Sequence, residues 1–188
     1  MARVETASFK DQQGREIVIR NCLTSDAAAS LDFLQAIAQE TTGTNNVPGR
    51  QRSPLADVER NFARVVDEPD QLLVAAFHDA AMVGQLSCAR VEPGHPYIGH
   101  IARFGVSVRS AFWGCGVASR LIAVMDAFAA ARAITRIESA VRCDNHRARR
   151  RYAAAGFEEE GVRRRGALIA GSYCDEVYIA KLYPSPHS

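Results

Sequence analysis

The sequence predicts a mixed α/β (α+β) architecture, because strand-like and helix-like patterns alternate along a chain of 188 residues. In residues 100–108, apolar side chains recur at every second position, which is typical of a half-buried strand. An apolar stripe at helical spacing then runs from Val117 to Phe128, and residues 135–142 alternate again. Strands that pair into a sheet with helices packed on it belong to the α/β or α+β classes.

Local patterns of the same kind justify the other elements. Residues 13–21 centre on consecutive β-branched side chains and predict a strand, and Ser25 or Asp26 begins a helix over 27–39. The remaining predicted elements are a helix over 56–66, a hairpin of 72–77 and 82–91, a short helix that Asn145 caps, and closing strands near 157–165 and 173–182.

A single domain is expected over residues 13–182, because a chain of this length can bury one sufficient core. Residues 1–12 are polar and are expected to be loose, and residues 183–188 are expected to form a C-terminal tail. The stretch 41–54 is rich in Thr, Gly, Asn and Pro, which predicts a loop long enough to have a functional role.

Composition excludes several classes of function. The net charge of +2 gives no argument for nucleic acid or a membrane surface, and the arginine-rich runs at 147–151 and 163–165 are interpreted as solvated surface. No uncharged apolar run approaches the ~18 residues of a membrane span, and the first residues lack the apolar core of a signal peptide. Widely spaced cysteines without a C-x-x-C pair favour a reducing, cytoplasmic location, and no metal-ligand spacing occurs, so no metal is expected.

The segment from Val106 to Ser119 is the most informative part of the chain. A Val-x-Val strand runs into Ala111-Phe112-Trp113-Gly114-Cys115-Gly116, and the turn opens a helix. The N–H groups and dipole of a helix start favour a phosphate, and glycine lets an anion approach the backbone. The segment lacks the Gly-Lys-Ser/Thr of a P-loop and the three glycines of a dinucleotide fingerprint. A tight strand-to-helix connection with no ligand is equally compatible with the turn alone.

A second motif follows at a fixed distance. Residues 145–157 have Asn145, Ala148, Tyr152, Gly156 and Phe157 in the pattern Asn-x-x-Ala-x-x-x-Tyr-x-x-x-Gly-Phe. The two motifs together, in this order, resemble the GNAT superfamily of acyl-CoA N-acyltransferases, whose glycine turn reads Gln/Arg-x-x-Gly-x-Gly/Ala. The detailed resemblance covers about residues 98–182, and it departs where Ala111 replaces the usual Gln or Arg.

The resemblance implies a central mixed, mostly antiparallel sheet of about seven strands with about four helices on both faces. It also implies transfer of an acetyl group from acetyl-CoA to a primary amine by direct attack in a ternary complex, without a metal. Homodimers are common in the superfamily, and the closing strand near 173–182 is apolar on both faces. The cofactor-binding residues that the resemblance implies are Val106, Val108, Ala111, Gly114, Cys115, Gly116, Val117, Ala118, Ser119, Asn145 and Tyr152.

Roles in catalysis are less complete. Tyr152 is the expected general acid for the leaving thiolate, although a core aromatic at helical spacing is the alternative. Related enzymes often have a glutamate base on the strand before the glycine turn, but Arg103 stands at that position. The base is therefore left open between water, Glu40, Glu138, His100 and some other group, while Arg103 and Glu40 are weaker candidates for contacts with the substrate.

Two questions stay open at the level of sequence. The acceptor is an amine of a small molecule or a peptide, and the acyl group is acetyl by default. The arginine at the usual glutamate position also fits an acyl-CoA-binding sensor or regulatory module with little or no turnover.

Overall fold

The described residues, 4–43, 48 and 53–184 of this computed structural model, form eight strands and four α-helices. Residues 44–47 and 49–52 of the predicted loop and residues 185–188 of the predicted tail lie outside the described residues. The strands are β1 (Ala7–Lys10), β2 (Glu16–Asn21), β3 (Gln71–His78), β4 (Ala81–Arg90), β5 (Ile101–Val108), β6 (Arg136–Arg142), β7 (Glu158–Ile169) and β8 (Ser172–Leu182). The helices are α1 (Ala27–Glu40), α2 (Leu55–Asp67), α3 (Val117–Ala131) and α4 (His146–Ala154).

The strands form one sheet in the order β1-β2-β3-β4-β5-β6-β8-β7. The pairs β1/β2, β2/β3, β6/β8 and β7/β8 are antiparallel, whereas β5 and β6 run parallel. The mixed, mostly antiparallel sheet is therefore confirmed among the described residues.

The sheet has one strand more than predicted, because β1 lies in the segment expected to be loose. β1 has only four residues and a single large apolar side chain, Phe9, so its alternation is too short to predict a strand. Its register comes from antiparallel pairing with β2, from Ala7 opposite Ile19 to Lys10 opposite Glu16. The expectation of a loose segment is wrong for residues 7–10, because pairing with a neighbour specifies this edge strand.

Contacts divide the chain into two compact units. The first comprises Met1–Cys88 and Gly105–Phe128, and the second comprises Ala89–Phe104 and Ala129–Ser188. In the first unit, α1 buries Phe33 and Ile37 in an apolar cluster with Phe62 of α2 and Phe77 of β3. The single domain over residues 13–182 stays a prediction.

In the second unit, aromatic side chains form a compact cluster. The ring centroids of Phe104 and Phe157 are 5.0 Å apart, and Tyr152 packs edge-on against both rings. In the same unit, Ile137 of β6 and Ile179 of β8 are buried. The tyrosine of the second motif is therefore held by the core of this unit.

Candidate active site

The first unit contains the strand, turn and helix that the sequence singled out. After β5, the Arg109 N–H donates to the Val83 carbonyl at 2.9 Å, and the chain turns through a short 3-10 segment at Ser110–Phe112. Gly114 and Gly116 then have φ angles of +79° and +85°, a region that L side chains rarely adopt. A Cβ built on either glycine meets no heavy atom within 4 Å. The turn thus requires glycine for its backbone and leaves open space beside it.

The helix that follows presents its first turn of backbone amides at this place. The Arg120 N–H donates to the Gly116 carbonyl at 3.1 Å, and this is the first bond of the helix. The amides that precede it in the first turn have no acceptor within the helix, and the helix dipole adds partial positive charge there. Gly84 of β4 lets the helix approach, because a Cβ there would lie 3.0 Å from Val117 and 3.2 Å from Leu121.

Glu40, at the end of α1, holds the beginning of the turn. Its two carboxylate oxygens accept from Arg109 Nε at 2.7 Å and from the Ser110 N–H at 2.6 Å. Burial raises the pKa of Glu40, but the bonds from Ser110 and Arg109 outweigh it and the net pKa lies below the ordinary value. The carboxylate that the sequence offered as a base or substrate contact is engaged in supporting the turn.

Arg15, in the turn between β1 and β2, holds the middle of the same segment. Its Nη1 donates to the Ala111 carbonyl at 3.1 Å, its Nη2 to Cys115 Sγ at 3.3 Å, and its guanidinium lies 3.9 Å from the centre of the Phe112 ring. Asp11 accepts from Arg15 Nε at 2.7 Å and has a fully buried side chain. Neither residue was predicted from the sequence, although Asp11-x-x-Gly-Arg15 is a recognisable turn pattern between two strands.

Trp113 closes the turn from the other direction. Its indole Nε1 donates to the Val108 carbonyl at 2.7 Å, which ties the residue before Gly114 back to the end of β5. The side chain keeps 39% of its surface exposed. Cys115 is buried, and its thiol donates weakly to the Trp113 carbonyl at 3.5 Å.

In the second unit, β5 and β6 pair over a short parallel ladder. The register runs from Ile101 opposite Arg136 to Arg103 opposite Glu138. Beyond it, the Ser139 hydroxyl donates to the Phe104 carbonyl at 3.0 Å. A side-chain bond therefore continues the connection where the described ladder ends.

Tyr152 lies in α4 against the aromatic cluster. Its ring centroid is 5.6 Å from that of Phe104 and 5.7 Å from that of Phe157. Burial raises the pKa of its hydroxyl to about 12, so the group stays protonated at neutral pH. The ring is half-buried against this cluster, and the hydroxyl retains a proton that it can donate.

Asn145 directly precedes α4 and acts as its N-cap. Its Oδ1 accepts from the Ala148 N–H at 3.2 Å, as the sequence predicted for the cap. The contact with a cofactor that the resemblance implies for this residue stays a prediction.

Arg103 and Glu138 belong to a charged network on β5 and β6. Glu138 accepts from Arg103 Nε and from Arg136 Nε, both at 3.0 Å, and Arg136 also pairs with Glu160 at 2.8 Å. Burial raises the pKa of Glu138, but the two arginines lower it by more, so the net pKa is below the ordinary value. His100, the third side chain offered as a base, is exposed and has no hydrogen bond with the described residues of this network. Its backbone carbonyl accepts from the N–H groups of Thr135 and Arg136.

The described part of the chain contains neither a cluster of metal-ligating side chains nor a helix that could span a membrane. No group of three or more His, Cys, Asp or Glu side chains there is placed to hold a metal ion. None of the described helices is both long and apolar enough to cross a membrane.

Comparison with known proteins gives consistent results. The model of the acetyltransferase (GNAT) family matches residues 32–157. The L-amino acid N-acetyltransferase AaaT of Escherichia coli (strain K12) is 33% identical over 168 residues, which cover 89% of this chain and 98% of that protein. A GNAT-family acetyltransferase from Streptococcus pneumoniae superposes with a TM-score of 0.83 at 24% identity, covering 89% of this chain and 99% of the other.

A second solved structure has the same fold. The putative acetyltransferase YncA from Salmonella typhimurium, solved with its cofactor acetyl-CoA, has a TM-score of 0.77 at 14% identity and covers 92% of this chain and 96% of its own. The fold that the two sequence motifs implied is confirmed by these likenesses.

Proposed function

Because this chain belongs to the acetyltransferase (GNAT) family, we propose that it transfers an acetyl group from acetyl-CoA to the primary amine of an L-amino acid or a similar small molecule. Its class, an acetyl-CoA-dependent N-acetyltransferase, follows from the family and from the relative that matches nearly its whole length. The acceptor and the roles of individual residues are what the proposal adds.

The glycine turn is the observation that carries the proposal. Gly114 and Gly116 have positive φ angles, open space at each Cβ position and a helix N-terminus directly behind them. A pyrophosphate needs backbone N–H donors that it can approach closely and a region of positive potential, and this turn supplies both. The residues present therefore fit the cofactor. YncA, of the same fold, was solved with acetyl-CoA.

The groups assigned to acetyl-CoA follow the order of the chain. Backbone groups of Val106 and Val108 pair with the pantetheine arm, and the amides from Gly114 to Ser119 bind the pyrophosphate. Ala111 supplies backbone only, since its methyl group cannot replace the Gln or Arg contact usual in the family. Asn145 contacts the cofactor through the part of its amide that capping leaves for it, the side-chain NH₂.

Acetyl-CoA supplies an acyl group on a thiol leaving group, so the reaction forms a C–N bond, breaks a C–S bond and releases one proton from the amine. We assign to Tyr152 the role of donating a proton or a hydrogen bond to the leaving sulfur, because its raised pKa keeps the hydroxyl protonated. The high pKa favours hydrogen-bond donation over full transfer of the proton, since a thiol is ordinarily more acidic than this phenol.

The amine must lose its proton before it attacks. Glu40 and Glu138 have lowered pKa values and each accepts from two donors, so both are poor proton acceptors at neutral pH. Arg103 cannot accept a proton. We therefore assign removal of the amine proton to solvent, with His100 as the remaining side-chain candidate.

We assign to Arg103 the binding of the acceptor's carboxylate. Its side chain is 70% exposed although its Nε is bonded to Glu138, so the terminal nitrogens can reach a ligand. A guanidinium recognises a carboxylate in a bidentate manner, which suits an L-amino acid. The similarity to AaaT, an L-amino acid N-acetyltransferase, supports the same class of acceptor.

The test measures release of free CoA with acetyl-CoA and a panel of L-amino acids, each compared with its amide. We expect turnover with amino acids, and Arg103→Gln should raise the KM for the acid about tenfold or more without changing that for the amide. Arg163→Gln is the matched control, because Arg163 also pairs with a glutamate on a neighbouring strand, at 3.2 Å, and is 53% exposed.

Two outcomes contradict the proposal. An equal effect of Arg103→Gln on acid and amide would remove Arg103 from recognition of the acceptor. Binding of acetyl-CoA without CoA release from any amine in the panel would instead identify a sensor of acyl-CoA, the alternative that the arginine at this position raised.

A further inference from the structure

The turn between β1 and β2 reaches the glycine turn through one arginine, and this contact has no counterpart in the sequence motifs. Arg15 uses all three guanidinium nitrogens: Nε on Asp11 at 2.7 Å, Nη1 on the Ala111 carbonyl and Nη2 on Cys115 Sγ. One face of the guanidinium also covers the Phe112 ring at 3.9 Å. Three residues of the segment 111–115 are thus fixed by a single side chain.

Asp11 makes this arginine rigid. Its Oδ1 accepts from the backbone N–H groups of Gln13 and Arg15, at 2.8 and 3.0 Å, while its Oδ2 binds the guanidinium. Burial raises the pKa of Asp11, but the bonds from Arg15 and from the two backbone amides lower it below the ordinary value overall. The carboxylate is therefore ionised at neutral pH and holds the guanidinium in one orientation.

From these contacts we infer that Arg15 is a positioning residue for the pyrophosphate of acetyl-CoA, acting through the turn that it holds. Glycine has no Cβ, so Gly114 and Gly116 can adopt many backbone conformations besides the positive φ angles observed here. Glycine alone therefore does not select the conformation in which the amides converge. Arg15 fixes Cys115, which lies between the two glycines, and Ala111 and Phe112 before them. The cost of ordering the turn is then met during folding and not during binding.

This inference rests on the proposed binding of acetyl-CoA and predicts a specific pattern in kinetics. Arg15→Met should raise the Kd and KM for acetyl-CoA about tenfold, the factor that two lost hydrogen bonds of ordinary net strength produce, with kcat little changed. S-acetylpantetheine contains the thioester and the pantetheine arm but no pyrophosphate. Its kcat/KM should be the same in Arg15→Met and in the wild type.

Arg20 provides a matched control in the same unit. It binds the carboxylate of Asp26 through two nitrogens, at 2.6 and 2.9 Å, and covers the Phe77 ring at 4.1 Å. Arg20→Met should therefore lower thermal stability in a similar way without changing the Kd for acetyl-CoA. Arg15→Lys separates charge from geometry, because lysine keeps the charge but cannot make the three-nitrogen fork, so we expect it to behave like Arg15→Met.

The outcomes are distinguishable from failure of the proposed function. If the wild type does not bind acetyl-CoA in titration calorimetry, the proposed function fails. If it binds and Arg15→Met has the same Kd as Arg20→Met, the inference is overturned. It is likewise overturned if Arg15→Lys restores full affinity, or if Arg15→Met loses activity with S-acetylpantetheine as severely as with acetyl-CoA.

Discussion

Substitution of Gly114 by alanine tests the phosphate-binding turn directly. A methyl group there meets no atom of the protein within 4 Å, so steric overlap inside the molecule does not contribute. Two effects remain: alanine must adopt a φ of +79°, and the methyl group occupies the space beside the backbone amides. The first effect is a cost to the fold, and the second is a cost to an incoming anion.

The two costs can be given magnitudes. The left-handed conformation costs alanine about 1–2 kcal/mol, which in a domain of this size lowers Tm by about 2–8 °C. A hydrogen bond to a charged group contributes about 1.5–3 kcal/mol, so losing one at the pyrophosphate should weaken CoA binding about 10- to 150-fold.

Gly94 allows the two effects to be separated. It has the same φ of +79° and equally open space at its Cβ position, but it lies in the loop between β4 and β5. Thermal unfolding should show a similar fall in Tm for Gly114→Ala and Gly94→Ala, and calorimetric titration with CoA should show weaker binding only for Gly114→Ala. Equal affinities in the two variants would refute the assignment of this turn to the pyrophosphate.

Three further predictions concern catalysis, its pH dependence and assembly. Tyr152→Phe should lower kcat roughly 10- to 100-fold at unchanged Kd for acetyl-CoA, and a wild-type kcat retained by the variant would return Tyr152 to a packing role. Because the pKa of Tyr152 is about 12, the wild-type rate should keep rising with pH as the acceptor amine deprotonates, and a decline well below that pKa would contradict the assignment. A homodimer is expected, since Leu168, Tyr173 and Leu182 of the β7–β8 pair are more than half exposed in the chain alone. Light scattering at micromolar concentration should give about twice 20.5 kDa, and Leu168→Glu should shift it towards the monomer; a wild-type mass near 20.5 kDa would end this expectation.

Periodic patterns predicted most of the fold, because an element that buries one face has apolar residues at a regular spacing in the sequence. The helix expected over 27–39 is Ala27–Glu40, and the strand expected over 100–108 is Ile101–Val108. β1 was not predicted, since an edge strand of four residues with one large apolar side chain is too short for its alternation to be distinguished. Its position depends on pairing with β2, and pairing between strands is not a local property.

The candidate site divides in the same way. The glycine turn and the tyrosine helix were predicted because each is a contiguous motif in the sequence. The side chains that hold the turn in place were not predicted. Arg15 lies 96 residues before Ala111, and Glu40 lies 69 residues before Arg109. A hydrogen bond between distant residues leaves no spacing in the sequence, so the bonds of the Glu40 carboxylate to Arg109 and Ser110 could not be predicted from it.

Trp113 gives the turn an intrinsic optical reporter. It is the single tryptophan of the chain, so indole emission under selective excitation arises from one place, next to Gly114. Its ring is partly open to solvent while its Nε1 is bonded to the Val108 carbonyl. Both the polarity around the ring and this bond depend on the state of the neighbouring backbone. Emission wavelength and quenching by iodide can therefore follow events at the turn in unlabelled protein, in real time and without coupling to product formation.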